Sequence, residues 1–192
     1  METEFTDAQI IDADPIAATA SAMLDVLGID DLEVLENTPA RFAKAWREMT
    51  CGYKQKPEEI LRKTFEADCD EMVVVDNIPF ASTCKHHLLP FTGFVSIGYI
   101  PTGKVVGLSK LPRLVRCFSQ RLQMQETMTA EIAHAIDYYL NPLGVGVVVR
   151  GTHTCMALRG VKSPGVMKTS SMLGVFRSDP SARGEFLGFL RD

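Results

Sequence analysis

The sequence predicts an α+β fold in which an antiparallel sheet carries helices on one face, preceded by an N-terminal helical segment. Apolar residues recur at helical spacing as far as about residue 65. From residue 72 two extended stretches, two helical stretches and two further extended stretches follow in that order. Strands that occur in pairs around two helices are typical of an antiparallel sheet rather than of alternating βαβ units.

The composition bounds the size and the partners of the protein. The 192 residues, 46% hydrophobic and 23% charged, suit a single core. A net charge of -4 gives no general attraction to nucleic acid or to an anionic membrane, so an anionic ligand must meet a local basic cluster. No stretch approaches the ~20 apolar residues that span a bilayer, and the acidic N-terminus does not resemble a signal peptide. Five cysteines, an odd number, indicate a reduced cytoplasmic protein rather than a disulfide scaffold.

The N-terminal helical segment is placed at residues 1–70 and contains three predicted helices. The first follows Asp14, an N-cap residue with proline after it, and ends at Gly28. The second is expected to open at Pro39 in the same way, and the third covers residues 57–65. Three apolar residues define the predicted buried side of the second helix: Phe42, Trp46 and Met49.

Residues 71–192 are predicted to form the sheet, its two helices and a C-terminal helix. Alternating apolar residues, clearest at Val145, Val147 and Val149, indicate strands. The predicted strands are residues 72–78, 91–100, 144–150 and 169–176. Apolar side chains at helical spacing predict helices that begin after Ser109, at about Thr127 and at Ser181.

Cysteine and histidine side chains concentrate in two short segments. Cys84 and His87 form a C-x-x-H pair between the first two strands, and Cys155 follows the valine-rich strand. Zinc binds thiolate and imidazole ligands, and a catalytic zinc keeps only three protein ligands. These three residues fit such a set, which leaves His86 and His153 available to move protons. A lone C-x-x-H is a weak signal, because cysteine and histidine are also common core residues; the concentration of three of four histidines here favours a zinc site.

Basic side chains occur where they could bind a phosphate group. The five candidates are Arg41, Lys44, Lys110, Arg113 and Arg159. Serine, lysine and arginine at a helix start form a reasonable phosphate clamp, although a solvated basic face has the same pattern. Gln125 and Glu126 precede a helix and are either an N-terminal cap pair or a group that accepts N–H donors from a ligand.

Six segments resemble, in the same order, sequence motifs of the GTP cyclohydrolase I family. They are T-P-A-R-x-x-K at 38–44, S-T-C-K-H-H at 82–87, G-L-S-K-L-P-R at 107–113, Q-R-L-Q-M-Q-E at 120–126, H-T-C-M-A-L-R-G at 153–160 and T-S-S-M-L-G-V-F at 169–176. The likeness extends from about Thr38 to Phe189. One such segment is weak, but six in one order are specific.

The resemblance implies the tunnelling fold, in which ββααββ units associate into rings, here a homodecamer with active sites between subunits. It also implies a reaction in which GTP loses C8 as formate and gives 7,8-dihydroneopterin triphosphate. Zinc would activate the water that adds to C8. The implied metal ligands are Cys84, His87 and Cys155, and the implied catalytic residues are His86, His153 and Ser109.

The resemblance assigns the remaining site residues to GTP. Glu126, helped by Gln125, would bind the guanine edge. The triphosphate would be neutralised by Lys110, Arg113 and Arg159, with Arg41 and Lys44 from an adjacent subunit. An acidic protein could bind a polyanion in this way.

The sequence departs from the family's motif at Lys85, where the family usually carries glutamate. The local charge therefore changes by two units. One alternative is a catalytically altered or silent paralogue that binds a purine nucleotide or a pterin. Another is a different tunnelling-fold activity, on a pterin or a deazapurine, although the pyruvoyl-tetrahydropterin synthase branch would require a zinc site of three histidines.

Overall fold

The computed structural model describes residues 14–191, which form two compact units, residues 14–50 and residues 51–191. Between residues 14 and 191 no helix combines the length and the apolar character that crossing a membrane requires. The predicted boundary at residue 70 concerns the domain organisation of the chain and stays a prediction.

The N-terminal unit consists of α1, Pro15–Val26, and α2, Leu32–Met49. Asp14 caps α1 as predicted, with its carboxylate accepting the N–H of Ile16. The predicted start of α2 at Pro39 is wrong, because the carboxylate of Asp31 accepts N–H groups of the first turn seven residues earlier. Pro39 lies inside the helix, where it removes one backbone hydrogen bond. The side chains of Phe42, Trp46 and Met49 are half-buried.

The second unit contains the sheet and the helices that cover it. In chain order its elements are a 3-10 helix Cys51–Lys54, α3 Pro57–Leu61, β1 Thr64–Glu66, β2 Val73–Cys84, β3 Pro90–Ile100, β4 Lys104–Val106, α4 Lys110–Ser119, β5 Leu122–Gln123, α5 Gln125–Leu140, β6 Gly144–His153, α6 Thr154–Ala157, β7 Val166–Gly174, α7 Val175–Ser178 and α8 Pro180–Phe189.

The main sheet has the strand order β5-β2-β3-β6-β7, and its long strands are all antiparallel to their neighbours. The short β5 pairs with β2 in parallel, and β1 pairs with β4 in a separate ribbon. One face of the sheet packs against α4 and α5, and the core lies between them. Its fully buried side chains include Ile97, Tyr99 and Val147 from the sheet and Leu114 and Ile132 from the helices. The α+β class with two strand pairs around two helices is therefore confirmed.

Several element boundaries differ from the prediction. The second helix of the sheet begins at Gln125 rather than Thr127, the third predicted strand runs to His153, and the fourth begins at Val166.

Three further differences have local reasons. β2 continues past Ile78 to Cys84, because a bulge that includes Asn77, with a φ of 54°, lets the strand bend and continue. The third helix ends at Leu61 rather than near residue 65, where the chain has already entered β1. The last strand ends at Gly174, and Phe176 lies in α7.

The C-terminal helix α8 packs on the sheet face opposite α4 and α5. Gly98 and Gly146 are register partners on β3 and β6, and the ring of Phe186 fills the space in which their side chains would lie. Phe186 is fully buried, with Phe176 edge-on to its ring at 5.4 Å. The two glycines thus leave the space in which Phe186 of the C-terminal helix packs against the sheet.

Candidate metal centre and active site

The first part of the site is the tight turn that follows β2. The N–H of Cys84 donates to the carbonyl of Leu89, and the N–H of Leu88 donates back to the carbonyl of Cys84, both at 2.9 Å. Leu88 has a φ of 57°, which closes the turn. Cys84 is buried at the end of the strand, whereas His86 and His87 are exposed on the turn. The turn therefore places one thiol and two imidazoles at one edge of the sheet.

The second part of the site is the end of β6 and the short helix α6 that follows it. His153 is the last residue of β6 and pairs in register with Phe91 on β3. Cys155 lies in α6, and the hydroxyl of Thr154 donates to the carbonyl of Pro90. This bond joins the start of α6 to the start of β3, next to the turn that carries His87.

The structure brings Cys84, His87 and Cys155 together. The two sulfurs and a ring nitrogen lie within 4.8 Å of one another, although the two segments are about seventy positions apart in the chain. None of the five cysteines, all of which lie within residues 14–191, forms a disulfide. Two thiols and one imidazole are ligands that zinc prefers, and three protein ligands leave a coordination position open. The residues present therefore fit a catalytic zinc.

Burial and the neighbouring side chains shift the pKa of the Cys155 thiol in opposite directions. Burial, followed by the adjacent Cys84 thiol, raises the pKa of Cys155, and the guanidinium of Arg159 opposes the rise. Arg159 donates through Nε to the carbonyl of Cys155 at 3.3 Å, and its Nη2 lies 3.0 Å from Nε2 of His87. Arg159, which the sequence predicts to bind phosphate, thus lies directly beside the three candidate metal ligands.

His153 lies two residues before Cys155, at the end of β6, and is half-buried, whereas His86 and His87 are exposed. Its ring stacks on Phe91 with a centroid distance of 4.5 Å and an interplanar angle of 7°. Its Nε2 lies 2.9 Å from Oε1 of Gln125. Burial lowers the pKa of His153, and the carboxylate of Glu126 opposes this change. The neutral ring is therefore favoured at neutral pH.

His86 contacts the cluster from the exposed side. Its Nδ1 lies 3.8 Å from the sulfur of Cys84. Glu126 is exposed in the first turn of α5, and its charge influences His153. Gln125, which the sequence predicts to assist at the guanine, is instead fully buried beneath these residues.

The predicted phosphate-binding residues are not all gathered at the cluster. Arg113 lines a cavity of about 390 Å³ together with Lys54, Lys56 and Arg116. Ser109 is exposed at the N-cap of α4 without a capping hydrogen bond from its side chain, and Lys110 follows it. In the separate N-terminal unit, Lys44 is exposed and Arg41 pairs with Glu33 at 2.9 Å.

Two residues of the site carry no functional signal in the sequence. Phe91 supplies the ring on which His153 stacks, and a side chain at Gly151 would overlap Oε1 of Gln125. Each lies within an apolar or glycine-containing strand, where such residues are common. Only the register of β3 with β6 identifies Phe91 as the neighbour of His153.

The fold and the site together define an α+β protein with a candidate metal centre at the edge of its main sheet. The family model for GTP cyclohydrolase I matches residues 16–191. GTP cyclohydrolase 1 of Wolinella succinogenes is 51% identical over 176 residues, which are 90% of this chain and 94% of that protein. The protein of the same name from Methylococcus capsulatus is 48% identical over 173 residues, 88% of this chain and 94% of that protein.

A further relative, GTP cyclohydrolase 1 of a Synechococcus strain, is 43% identical over 192 residues, 99% of this chain and 84% of that protein. The chain belongs to the GTP cyclohydrolase I family. The resemblance drawn from six sequence segments is thereby confirmed, and with it the expected tunnelling fold.

Proposed function

We propose that this protein is a zinc-dependent GTP cyclohydrolase I, which hydrolyses GTP at C8, releases formate and forms 7,8-dihydroneopterin triphosphate. The observation that carries the proposal is the convergence of Cys84, His87 and Cys155 beside the enclosed imidazole of His153, in a chain of that family. Opening the guanine imidazole ring requires an attacking water and a proton for the nitrogen that leaves. The cluster and the adjacent histidine supply groups suited to both tasks.

Cys84, His87 and Cys155 would hold the zinc ion. When bound, zinc would supply Lewis-acid activation of the attacking water. Arg159 favours ionisation of the Cys155 thiol, which must lose its proton to bind a metal. The protein thus offers two thiols and an imidazole with a cation next to them.

The protein's own proton carriers are His153 and His86. His153 would take a proton from the attacking water and deliver it to N7 of the guanine as the imidazole ring opens. Hydrolysis of the remaining bond from C8 to nitrogen would consume a second water and release formate. Its stacking on Phe91 holds the ring plane, which favours transfer along one direction. His86, exposed beside Cys84, would exchange protons with solvent.

Glu126 would recognise the guanine edge. Its carboxylate is exposed in the first turn of α5 and lies close enough to influence His153. A carboxylate accepts the N1 and N2 hydrogens of guanine in a bidentate manner. Ser109 would assist the ribose during its rearrangement.

Basic side chains would bind the triphosphate. Lys110 and Arg113 lie on the first turn of α4, and Arg159 lies beside the cluster. Arg41 and Lys44 would come from an adjacent subunit of a homo-oligomer, for which a decamer is the expected state. The exposure of these two cations in the N-terminal unit is consistent with this assignment.

The test is formate release from GTP by the zinc-loaded protein. Wild-type protein is expected to release one formate for each GTP consumed, and His153→Ala is expected to abolish release while GTP still binds. His134→Ala, a change at an exposed histidine on α5, is the matched control. Binding of GTP without formate release by the zinc-loaded wild type would instead support a catalytically silent paralogue.

A further inference from the structure

The carboxamide of Gln125 is buried and its orientation is determined by its neighbours. Gln125 is the first residue of α5 and is 0% exposed. Its Nε2 lies 3.2 Å from the carbonyl of Val149, 3.1 Å from the carbonyl of Met167 and 3.1 Å from the hydroxyl of Thr169. Two of these partners are backbone carbonyls, which can only accept. The NH₂ group must therefore face β6 and β7, and the oxygen must face the other way.

This orientation determines which ring nitrogen of His153 carries a proton. Oε1 of Gln125 can only accept, and it lies 2.9 Å from Nε2 of His153. Nε2 therefore donates. In the neutral imidazole the other nitrogen, Nδ1, then has a free lone pair. A 180° flip of the ring would keep the stacking on Phe91 but would put Cε1 in the place of Nε2, and the hydrogen bond to Gln125 would be lost.

The network behind the carboxamide is closed. Thr169 accepts from Gln125, so its own hydrogen is directed to the Thr129 hydroxyl at 2.7 Å. Thr129 in turn donates to the backbone carbonyl of Gln125 at 2.6 Å. Gly151 provides the space for Oε1, since a side chain there would overlap it. The carboxamide cannot rotate without leaving buried polar groups unpaired, which is costly.

We propose that Gln125 is a positioning residue that keeps the proton of neutral His153 on Nε2, so that Nδ1 is the atom through which this histidine transfers protons. In the reaction, which rests on the proposed function, Nδ1 takes a proton from the attacking water and gives it to N7 of the guanine. The Nε2–H bond to Gln125 is kept throughout, so no proton is gained or lost there. Gln125 does not contact the guanine, because both of its N–H groups are already used within the protein.

The tautomer is tested directly by ¹⁵N solid-state NMR of zinc-loaded protein labelled at its four histidines. The His153 signals are assigned from their loss in His153→Asn, at a pH where the ring is uncharged. Wild-type protein is expected to show a protonated Nε2 and an unprotonated Nδ1. The opposite pattern in the wild type would overturn the proposal whether or not the protein acts on GTP, so it is distinct from a failure of the proposed function.

Gln125→Met removes the acceptor and is expected to give a mixture of both tautomers. Hydrogen-bond partners that orient metal-bound imidazoles contribute about 10- to 100-fold to activity. By analogy, kcat for formate release should fall by about that factor while KM for GTP changes by less than about twofold. Gln125→Glu keeps an oxygen toward His153, but its second oxygen meets the carbonyls of Val149 and Met167, which can only accept, so it should not restore the wild-type kcat. A large rise in KM with an unchanged tautomer would show that Gln125 binds the guanine, against the proposal.

Gln123→Met is the matched control. Gln123 is also a buried glutamine, and its Nε2 donates to the carbonyl of Phe118 and to Glu131, at 3.0 and 2.7 Å. It has no hydrogen bond to an imidazole among these contacts. Its replacement is expected to lower thermal stability by an amount similar to Gln125→Met and to leave the His153 signature unchanged. If the tautomer of His153 also changes in Gln123→Met, the cause is a general loss of core packing and not the loss of the Gln125 acceptor. That result would also overturn the proposal.

Discussion

Replacing Cys155 with alanine removes one of the three donor atoms that converge at the ends of β2 and β6. Structural zinc sites with four ligands bind with about 10–16 kcal/mol, so an equal share for each ligand assigns one thiolate about 2.5–4 kcal/mol. That free energy corresponds to a zinc Kd about 10²- to 10³-fold weaker. Because Cys84 and His87 remain in place on their turn, we expect weak residual binding rather than none.

The measurement is competition for zinc with a chromophoric chelator at neutral pH, together with the metal content after dialysis. Wild-type protein is expected to keep one zinc per chain, and Cys155→Ala is expected to lose it on dialysis. The control is Cys69→Ala, because the Cys69 thiol has only a weak contact, 3.8 Å to the carbonyl of Glu71, and lies outside the cluster. If Cys155→Ala holds zinc within about threefold of the wild-type affinity, Cys155 is not a ligand and the reasoning fails.

The pH dependence of zinc binding follows from the raised pKa of Cys155. At neutral pH this thiol is mostly protonated, and zinc must displace its proton. A rise in pH removes that proton, so zinc affinity should increase, by up to about tenfold per pH unit from this thiol alone while the pH stays below its pKa. Chelator competition at several pH values measures this slope. Cys155→Ala should show a shallower slope than Cys69→Ala.

Three further predictions concern the assembly, the charge beside the cluster and the core. If each active site combines two subunits, co-expression of Arg41→Ala with His153→Ala subunits should restore about a quarter of wild-type formate release, whereas sites within one subunit would restore none. Lys85→Glu should tighten zinc binding by less than about tenfold, and the difference from the wild-type affinity should shrink at high salt because Lys85 is exposed. Equal zinc affinities of the variant and the wild type at low salt would contradict this. Phe186→Ala should lower stability by about 3–5 kcal/mol, because its ring is fully buried against two glycines. A fall in Tm of under about 3 °C would disprove this last prediction.

Much of the sheet and of the cluster could be predicted because the signals are local. The alternation of Val145, Val147 and Val149 identifies a strand, and all three side chains are fully buried in the core. Cys84 and Cys155 lie in two short segments that also hold three of the four histidines, so their convergence could be expected from that concentration. The continuation of β2 to Cys84 could not be predicted from the sequence, because Asp76 and Asn77 favour a turn. Only the pairing of β2 with β3 shows that these residues form a bulge.

The assignments that depend on side-chain surroundings could not be made from spacing. Gln125 and Glu126 are adjacent in sequence and were both expected at the guanine, yet one is fully buried and the other is exposed. The first residues of a helix point in directions that differ by about 100° from one to the next, so neighbours readily face different environments. The start of α2 at Leu32 was missed for a related reason, because both Asp31 and Thr38 are good N-cap residues and only the hydrogen bonds to Asp31 distinguish them.

Cys84 is the last residue of β2, and Cys155 lies in α6 directly after β6. β2 and β6 are not neighbours, since β3 lies between them. Their meeting therefore depends on two ladders at once, β2 with β3 and β3 with β6. Adding a single amino acid within any of these strands would turn the following side chains to the opposite side and separate the sulfurs. Such an insertion should be far more damaging than a longer one at residues 102–103, which are exposed in the connection from β3 to β4.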